Sequence, residues 1–368
     1  MRSGPAVFGV GTEEAQLVWS RVPAGDHSVL VGDQSWSVVG GGVATHCVHQ
    51  RGLQPDTAYD IVVDGRRRRS LRTLARPPGR LLARVATISD LHVGELAFGH
   101  LPRLRSQPPG GDAAAAHPMW GLTAAIDEII DWAPDLLVVK GDLGHYNRPR
   151  EYDLLAPELL RAGVPLMVTG GNHDGGNQHR CNAARELARH GIEITDPVQV
   201  RDVNGARVVL GDTVIAGEHG GTVVTAQPAI VAALADHPGP CLLALHHQLM
   251  TTRIPYYLPV GVPKAESSAF LDTVALVRPG TVVTSGHTHR NRARRHGSLL
   301  VTEVGAPKDH PAVWAAYELY DGGVVQTVRR ILEPRTLDWS ERCRGTVATM
   351  WGHWAPGRLA DRCIAHTG

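Results

Sequence analysis

Five short apolar runs in this 368-residue chain stop abruptly at polar side chains. LLARVATIS (81–89) ends in Asp90-Leu91-His92, and LLVVK (136–140) in Gly141-Asp142. LMVT (166–169) ends in two glycines and Asn172-His173-Asp174. CLLAL (241–245) ends in His246-His247, and TVVTS (281–285) in Gly286-His287-Thr288-His289. Short apolar runs bounded by turn residues read as buried strands. Between them the period changes. GLTAAIDEIIDWA (121–133) places Leu122, Ala125, Ile126, Ile129 and Ile130 on one helical face. PREYDLLAPELLRAG, NAARELARHG, PAIVAALADH and SSAFLDTVALV are helical in pattern, and Pro157 is expected to split the first of them. Alternating strand and helix predicts an α/β core. VQVRDVN with ARVVLGDTVIAG reads as a β-pair, and SLLVTEV, VWAAYELY and GVVQTVRRI as three late strands. These pairs favour a layered sandwich over one simple sheet.

Side chains leaving the carboxyl ends of strands in an open α/β sheet converge on one crevice. Here that crevice collects carboxylates, imidazoles and an amide, a cluster that is costly to bury unless something charged satisfies it. In Asp90-x-His92 and His287-x-His289, alternate residues point to the same side, so each pair can grip one ion or two neighbours. The donors are nitrogen and oxygen with no thiolate, which suits Mn, Fe, Zn or Co rather than a zinc finger or a calcium cage. Seven or more candidate ligands exceed what one tetrahedral ion takes, so two ions sharing a carboxylate is the economical reading. The chain holds twenty histidines at a formal net charge of +1, and its five cysteines form no CxxC pair. Near-neutral charge and the lack of a basic stripe in 81–306 argue against extended nucleic-acid binding. No window is apolar enough to span a membrane and the N-terminus lacks a secretory pattern, so a cytoplasmic protein is expected.

Asp-x-His, Gly-Asp, Gly-Asn-His-Asp, a strand-end His and Gly-His-x-His, in this order over residues 84–306, resemble the signature of calcineurin-like metallophosphoesterases. The resemblance implies a four-layer α/β/β/α sandwich carrying two transition-metal ions, Mn, Fe or Zn. Position by position, it gives one ion Asp90, His92, Asp142 and His289. It gives the other Asp142, Asn172, His246 and His287, with Asp142 shared. His246 fits the block better than His247. His173 stands as the acid or charge stabiliser and Asp174 as the group that orients it. A hydroxide held between the ions would attack phosphorus in line. His117, His145, Arg148, His219, Tyr256 and Tyr257 lie in stretches read as loops near the crevice, and His145, Arg148, Tyr256 and Tyr257 are candidate substrate contacts.

GDLGHYNRPREYDLLAPELLRAGVPLMVTGGNHD is similar to the corresponding run of class III cyclic-nucleotide phosphodiesterases, with Pro149 and Tyr152 in place. Residues 1–76 are rich in short β-forming runs and resemble a fibronectin type III module, through Trp19 and through Leu53, Pro55, Thr57 and Tyr59 of GLQPDTAYDIVV. Purple acid phosphatases share that domain order. They would place Tyr three residues after the second-block Asp and no His in the first block, whereas this chain has His145 and His92. The expected organisation is a small β-sandwich (1–76), a catalytic domain (81–332) and a C-terminal extension of unassigned role (333–368). Arg66–Arg69 reads as a hairpin turn. The expected activity is hydrolysis of a small phosphodiester. The alternatives are a phosphomonoesterase of purple-acid-phosphatase or nucleotidase type, and a phosphatase-like scaffold whose N-terminal module contacts another protein.

Overall fold

The computed structural model describes residues 4–42, 44–175, 181–252 and 259–367. The N-terminal strands are β1 (Ala6–Val10), β2 (Glu14–Ser20), β3 (Gly25–Val31), β4 (Gln34–Gly40), β5 (Thr45–Arg51), β6 (Ala58–Val63) and β7 (Arg66–Arg72). They form two antiparallel sheets, ordered β1-β2-β5 and β4-β3-β6-β7. Leu17, Trp19, Val29, Val31, Leu53, Ile61, Val63 and Leu71 make their shared core. At the corner before β6, the Tyr59 hydroxyl accepts the Gln54 backbone N–H at 2.8 Å. The arginine run is not a turn: it opens strand β7, with Arg66, Arg67 and Arg68 exposed.

This strand-rich region docks firmly on the rest. Glu14 accepts from Arg329 at 2.6 Å, and the Gln16 amide exchanges bonds of 3.0 and 2.7 Å with the Arg330 backbone. The Arg329 guanidinium lies 5.0 Å from the centres of both the Trp132 and Trp314 rings. Pairing and stacking offset the cost of burying that charge.

From residue 81 the elements alternate. They run β8 (Leu81–Ile88), β9 (Ala97–Phe98), β10 (Leu104–Arg105), α1 (His117–Trp132), β11 (Leu136–Lys140), α2 (Pro149–Arg161), β12 (Leu166–Thr169), α3 (Asn172–Gly175) and α4 (Ala183–Ala188). They continue with β13 (Val198–Val203), β14 (Ala206–Gly211), α5 (Gln227–Ala235), β15 (Cys241–Leu245), α6 (Lys264–Val277), β16 (Val282–Ser285), β17 (Arg292–His296) and β18 (Leu299–Glu303). The last are β19 (Val313–Tyr320), β20 (Gly323–Arg330), α7 (Pro334–Cys343), α8 (Trp351–Trp354), α9 (Leu359–Arg362) and β21 (Cys363–His366). Two six-stranded sheets result, ordered β12-β11-β8-β19-β20-β21 and β13-β14-β15-β16-β18-β17. The first is parallel through β12, β11 and β8, the second through β14, β15, β16 and β18.

Strand alternation divides the apolar side chains cleanly. Val85, Val138, Met167, Val208, Leu242, Val282 and Tyr317, drawn from both sheets, form one cluster. The opposite face of the first sheet packs Ile88 and Val139 against Leu122, Ile126 and Leu155 of α1 and α2. That of the second packs Leu243 and Val283 against Ile230 and Phe270 of α5 and α6. Ile130 does not join the face expected of it: it sits at the edge of the stripe, 42 % exposed. Pro157 lies inside an unbroken α2. The carbonyl it leaves without an N–H belongs to exposed Asp153, which water can serve. Residues 333–368 are no appendage, because β21 pairs antiparallel with β20 and extends the first sheet. No helix among the described residues is long and apolar enough to cross a membrane.

His310 sits under α7, its Nδ1 3.3 Å from the Ser340 hydroxyl. Burial, aided by the Arg330 guanidinium, pushes its pKa down to about 3. The unfolded chain takes up that proton near its ordinary value of about 6.5, the native chain only near the lower value. This contribution to stability is therefore complete above the unfolded value and is lost as pH falls towards the folded one. Acidifying from about pH 7.5 to about pH 5 should cost the wild type about 2 kcal/mol more than His310→Gln in urea unfolding. Equal losses would contradict the assignment.

Candidate metal centre

The carboxyl ends of β8, β11 and β12 in one sheet, and of β15 and β16 in the other, open onto a single seam. The chain leaves these strands through left-handed steps: φ is +58° at Asp90, +46° at His92, +50° at Asp142, +67° at His287 and +50° at His289. Side chains rarely adopt this region, at a cost of roughly 1–3 kcal/mol each, and such residues gather where function requires them. Backbone bonds hold the steps in place. Asp90 N–H donates to Gly141 O at 3.0 Å and His92 N–H to Asp142 O at 2.9 Å. His287 N–H reaches both Asp90 oxygens at 2.9 and 3.0 Å, and His173 N–H reaches Asp142 Oδ1 at 3.0 Å. Gly171 leaves no room for a side chain: a Cβ there would collide with Asp142 Oδ1 and lie 2.7 Å from His246 Nε2.

Asp142 stands between two sets of donors. On one side its Oδ2 lies 3.4 Å from His92 Nε2, which lies 3.2 Å from His289 Nε2. His289 Nε2 is 3.6 Å from Asp90 Oδ1. On the other side its Oδ1 lies 3.4 Å from His246 Nε2, which is 3.3 Å from Asn172 Oδ1. The His287 ring packs 5.0 Å from that of His246. The structure thus brings together all seven residues singled out as ligands, and each set draws on both sheets.

The far nitrogens of three rings are already committed. His246 Nδ1 meets Lys140 O at 2.7 Å, His287 Nε2 meets Val260 O at 3.1 Å, and His289 Nδ1 meets Asp309 Oδ2 at 2.6 Å. Carbonyl and carboxylate oxygens only accept, so these nitrogens carry hydrogen, and in the neutral ring the opposite nitrogen is the lone pair. This is how proteins orient metal-ligating histidines. The His246 lone pair then faces the carbonyl of Asn172 and the carboxylate of Asp142, acceptors opposed to an acceptor. Protons do not relieve the crowding at His92 or His287. Burial with Lys308 holds His92 well below its ordinary pKa, and burial with His246 holds His287 at about 3. Divalent cations satisfy such an oxygen and nitrogen set, and the residues fit them.

The remaining candidates separate. His173 packs edge-on against His92 at 4.4 Å, and its Nδ1 meets His145 O at 2.9 Å. His145 stacks on His173, and its Nδ1 lies 3.3 Å from His92 Nδ1; burial pushes its pKa down to about 4. Arg148 is exposed and caps the Tyr146 ring at 4.7 Å. His247 turns its Nδ1 to the Thr213 hydroxyl at 2.8 Å, whereas His246 meets Asp142 and Asn172. His117 is not in a loop: it opens α1, buried, 3.5 Å from Glu95. His219 is exposed. Tyr256 and Tyr257 lie outside the described residues.

Asp174 does not orient His173. Its oxygens accept the backbone N–H groups of Leu143, Gly144 and Gly171 at 2.8–3.1 Å and the Tyr152 hydroxyl at 3.0 Å. It ties the turn after β11 to the turn after β12, and the His145 carbonyl takes over the role expected of it. Sequence reasoning also missed Asp309, the partner of His289. Lys308 lies 2.6 Å from Glu95 and 3.6 Å from Asp309 in the same buried network. A signal existed. β18 is parallel to β16, and the loop it feeds, VGAPKDH (304–310), is another carboxyl-end loop of the kind that builds such crevices.

Fold and site together define a phosphoester-cleaving class. Residues 83–291, more than half of the chain, match the family model described as calcineurin-like phosphoesterase. The chain belongs to that family, and it is a hydrolase acting on phosphoester bonds. Among curated relatives, a probable cyclic nucleotide phosphodiesterase of Synechococcus is 26% identical over 200 residues, 52% of this chain and 74% of that protein. A cAMP/cGMP dual specificity phosphodiesterase of Mycobacterium tuberculosis is 28% identical over 181 residues, 47% of this chain and 52% of that protein. Among solved structures, a dimetal phosphatase from Danio rerio aligns with 69% of this chain and 98% of its own, at a TM-score of 0.50 and 14% identity, which speaks to the fold alone.

Asp174→Ala would leave three buried N–H groups without their acceptor, while the Tyr152 hydroxyl keeps Asn147 Oδ1 at 2.8 Å. The expected loss in urea unfolding is on the order of 3 kcal/mol or more. A variant as stable as wild type would show that the carboxylate does not hold the two turns together.

Proposed function

We propose that this protein is a dimetal phosphodiesterase acting on a small phosphodiester. The observation that carries the reading is the Asp142 carboxylate, which faces His92 with one oxygen and His246 with the other. In this reading Asp90, His92, Asp142 and His289 hold one ion, and Asp142, Asn172, His246 and His287 the other. The donor set favours Mn, Fe or Zn. Bound there, two divalent ions would neutralise phosphoryl oxygens and lower the pKa of the attacking water. Asn172 contributes its carbonyl oxygen, so its NH2 group faces away from the ion it helps to hold. His173, fixed through Nδ1 by the His145 carbonyl, protonates the leaving oxygen or stabilises its charge. His145 and Arg148 border the place of the leaving group.

The diester preference takes support from relatives named as cyclic nucleotide phosphodiesterases and from the GDLGHYNRPREY run. We also read the two sheets and their flanking helices as the α/β/β/α sandwich, and residues 1–76 as a fibronectin type III-like module. The five cysteines are free, which supports a reducing compartment such as the cytoplasm.

The test compares bis-p-nitrophenyl phosphate with p-nitrophenyl phosphate after Mn²⁺ is restored, with Asn172→Ala as blank. The diester is expected to be cleaved faster, and the activity to vanish in the variant. Monoester preference would overturn the phosphodiesterase reading. His173→Ala should keep its metal and lose about 10²–10⁴-fold in kcat with a poor leaving group. An unchanged kcat would remove His173 from the reaction.

A further inference from the structure

The hairpin β9–β10 follows the first metal-site block by only a few residues, yet supplies no group to it. It is firmly built. Ser106 N–H and Gln107 N–H donate to Leu96 O at 3.1 and 3.3 Å. The Ser106 hydroxyl meets His117 Nδ1 at 2.7 Å, and the Gln107 amide donates to Ala115 O at 2.8 Å, pinning the hairpin to the start of α1. Arg103 and Arg105, two residues apart, leave this extended segment on the same side. With Arg148, Arg150 and Tyr146 they line a cleft of about 420 Å³.

The charge in that cleft is unbalanced. Arg150 is paired with Asp112 at 3.0 Å. The Glu151 carboxylate is engaged by the backbone N–H groups of Tyr146 and Arg148 at 3.0 and 3.2 Å. Among the described residues, Arg103, Arg105 and Arg148 have no carboxylate within ion-pair distance. Three unpaired guanidiniums thus share one concavity in a chain whose net charge is only +1.

The cleft shares a wall with the metal centre. The Arg148 guanidinium lies 4.7 Å from the Tyr146 ring, which meets the His145 ring at 4.3 Å, and His145 Nδ1 is 3.3 Å from His92 Nδ1.

We propose that the cleft is a second anion subsite, and that the preferred substrate is a phosphodiester carrying one further phosphate on its organic portion. The inference rests on the metal centre being the phosphodiester site. A terminal phosphate presents three oxygens and up to two charges, which guanidinium forks match more closely than ammonium groups would.

The test uses two dinucleotides with the same scissile bond, adenylyl-(3′,5′)-adenosine and its 5′-phosphorylated form. In the wild type kcat/KM is expected to favour the phosphorylated one by about tenfold, mostly through KM. In Arg103→Ala/Arg105→Ala the ratio should fall to about one. A wild-type ratio near one, or a ratio that survives the double substitution, would overturn the proposal. The second measurement does not depend on turnover. His173→Ala protein, which keeps its metal and turns over slowly, is titrated calorimetrically with both dinucleotides. Tighter binding of the phosphorylated form that disappears on adding the two arginine substitutions supports the subsite, and equal binding overturns it. Selective binding by a protein whose wild type cleaves no diester would refute the proposed reaction and leave the subsite standing.

Discussion

Everything at this site depends on the Asp142 carboxylate, buried where the two sheets meet. Burial alone would raise its pKa. Where they carry protons, the imidazoles of His246, His173 and His287, together with the His173 backbone N–H, outweigh burial and hold it well below the ordinary carboxylate range. An anion in such a place must be matched by charge and by hydrogen bonds. The surroundings answer that demand. The left-handed steps at five of the seven candidate ligands aim side chains inward, and the bare Gly171 lets His246 and Asp142 approach. Lys140 links the two sheets, its Nζ donating to Thr284 Oγ1 and Ser285 O at 3.1 and 2.9 Å.

The same demand extends outward through His289. Asp309 fixes its ring, Lys308 stands beside Asp309, and Glu95 stands beside Lys308. Lys308 is buried, yet its pKa is raised, because Glu95 and Asp309 outweigh the cost of desolvation. Breaking one member of such a network costs far more than replacing the whole by apolar groups. The C-terminal segment closes over it: Trp339 Nε1–H donates to Lys308 O at 2.9 Å, and Trp351 Nε1–H approaches Asp309 Oδ1 at 3.4 Å. Residues 333–368 therefore both extend the first sheet and cover the network behind a metal ligand.

How much of this the sequence reveals follows from what each feature depends on. The strand-end blocks are local: an apolar run, a glycine and a ligand type are visible within a few residues, and all seven donors assemble where the strand-end rule places them. The strands from β2 onward in this region are legible for the same reason, although β1 (Ala6–Val10) is not among the runs the sequence announces and Arg66–Arg69 reads as a turn because four adjacent charges hide the alternation that Leu71 completes. Roles set by distant partners were not legible. Asp174 follows His173 directly, which suggested that it orients the ring. Its true partners are backbone groups of residues 143, 144 and 171 and the hydroxyl of Tyr152. Asp309 meets a histidine twenty residues away across a turn that no period announces. β21 lies in the stretch left without an assigned role, because a four-residue strand is recognisable only through its pairing with β20.

The central claim, one carboxylate shared by two ions, is tested most directly by counting metal. Wild-type protein loaded with Mn²⁺, freed of excess and analysed by atomic emission should hold two ions per chain. Asp142→Ala should hold neither tightly, while a substitution on one side only, His246→Ala, should retain one. A wild type that binds a single ion, or an Asp142→Ala protein that keeps both, would contradict a shared Asp142.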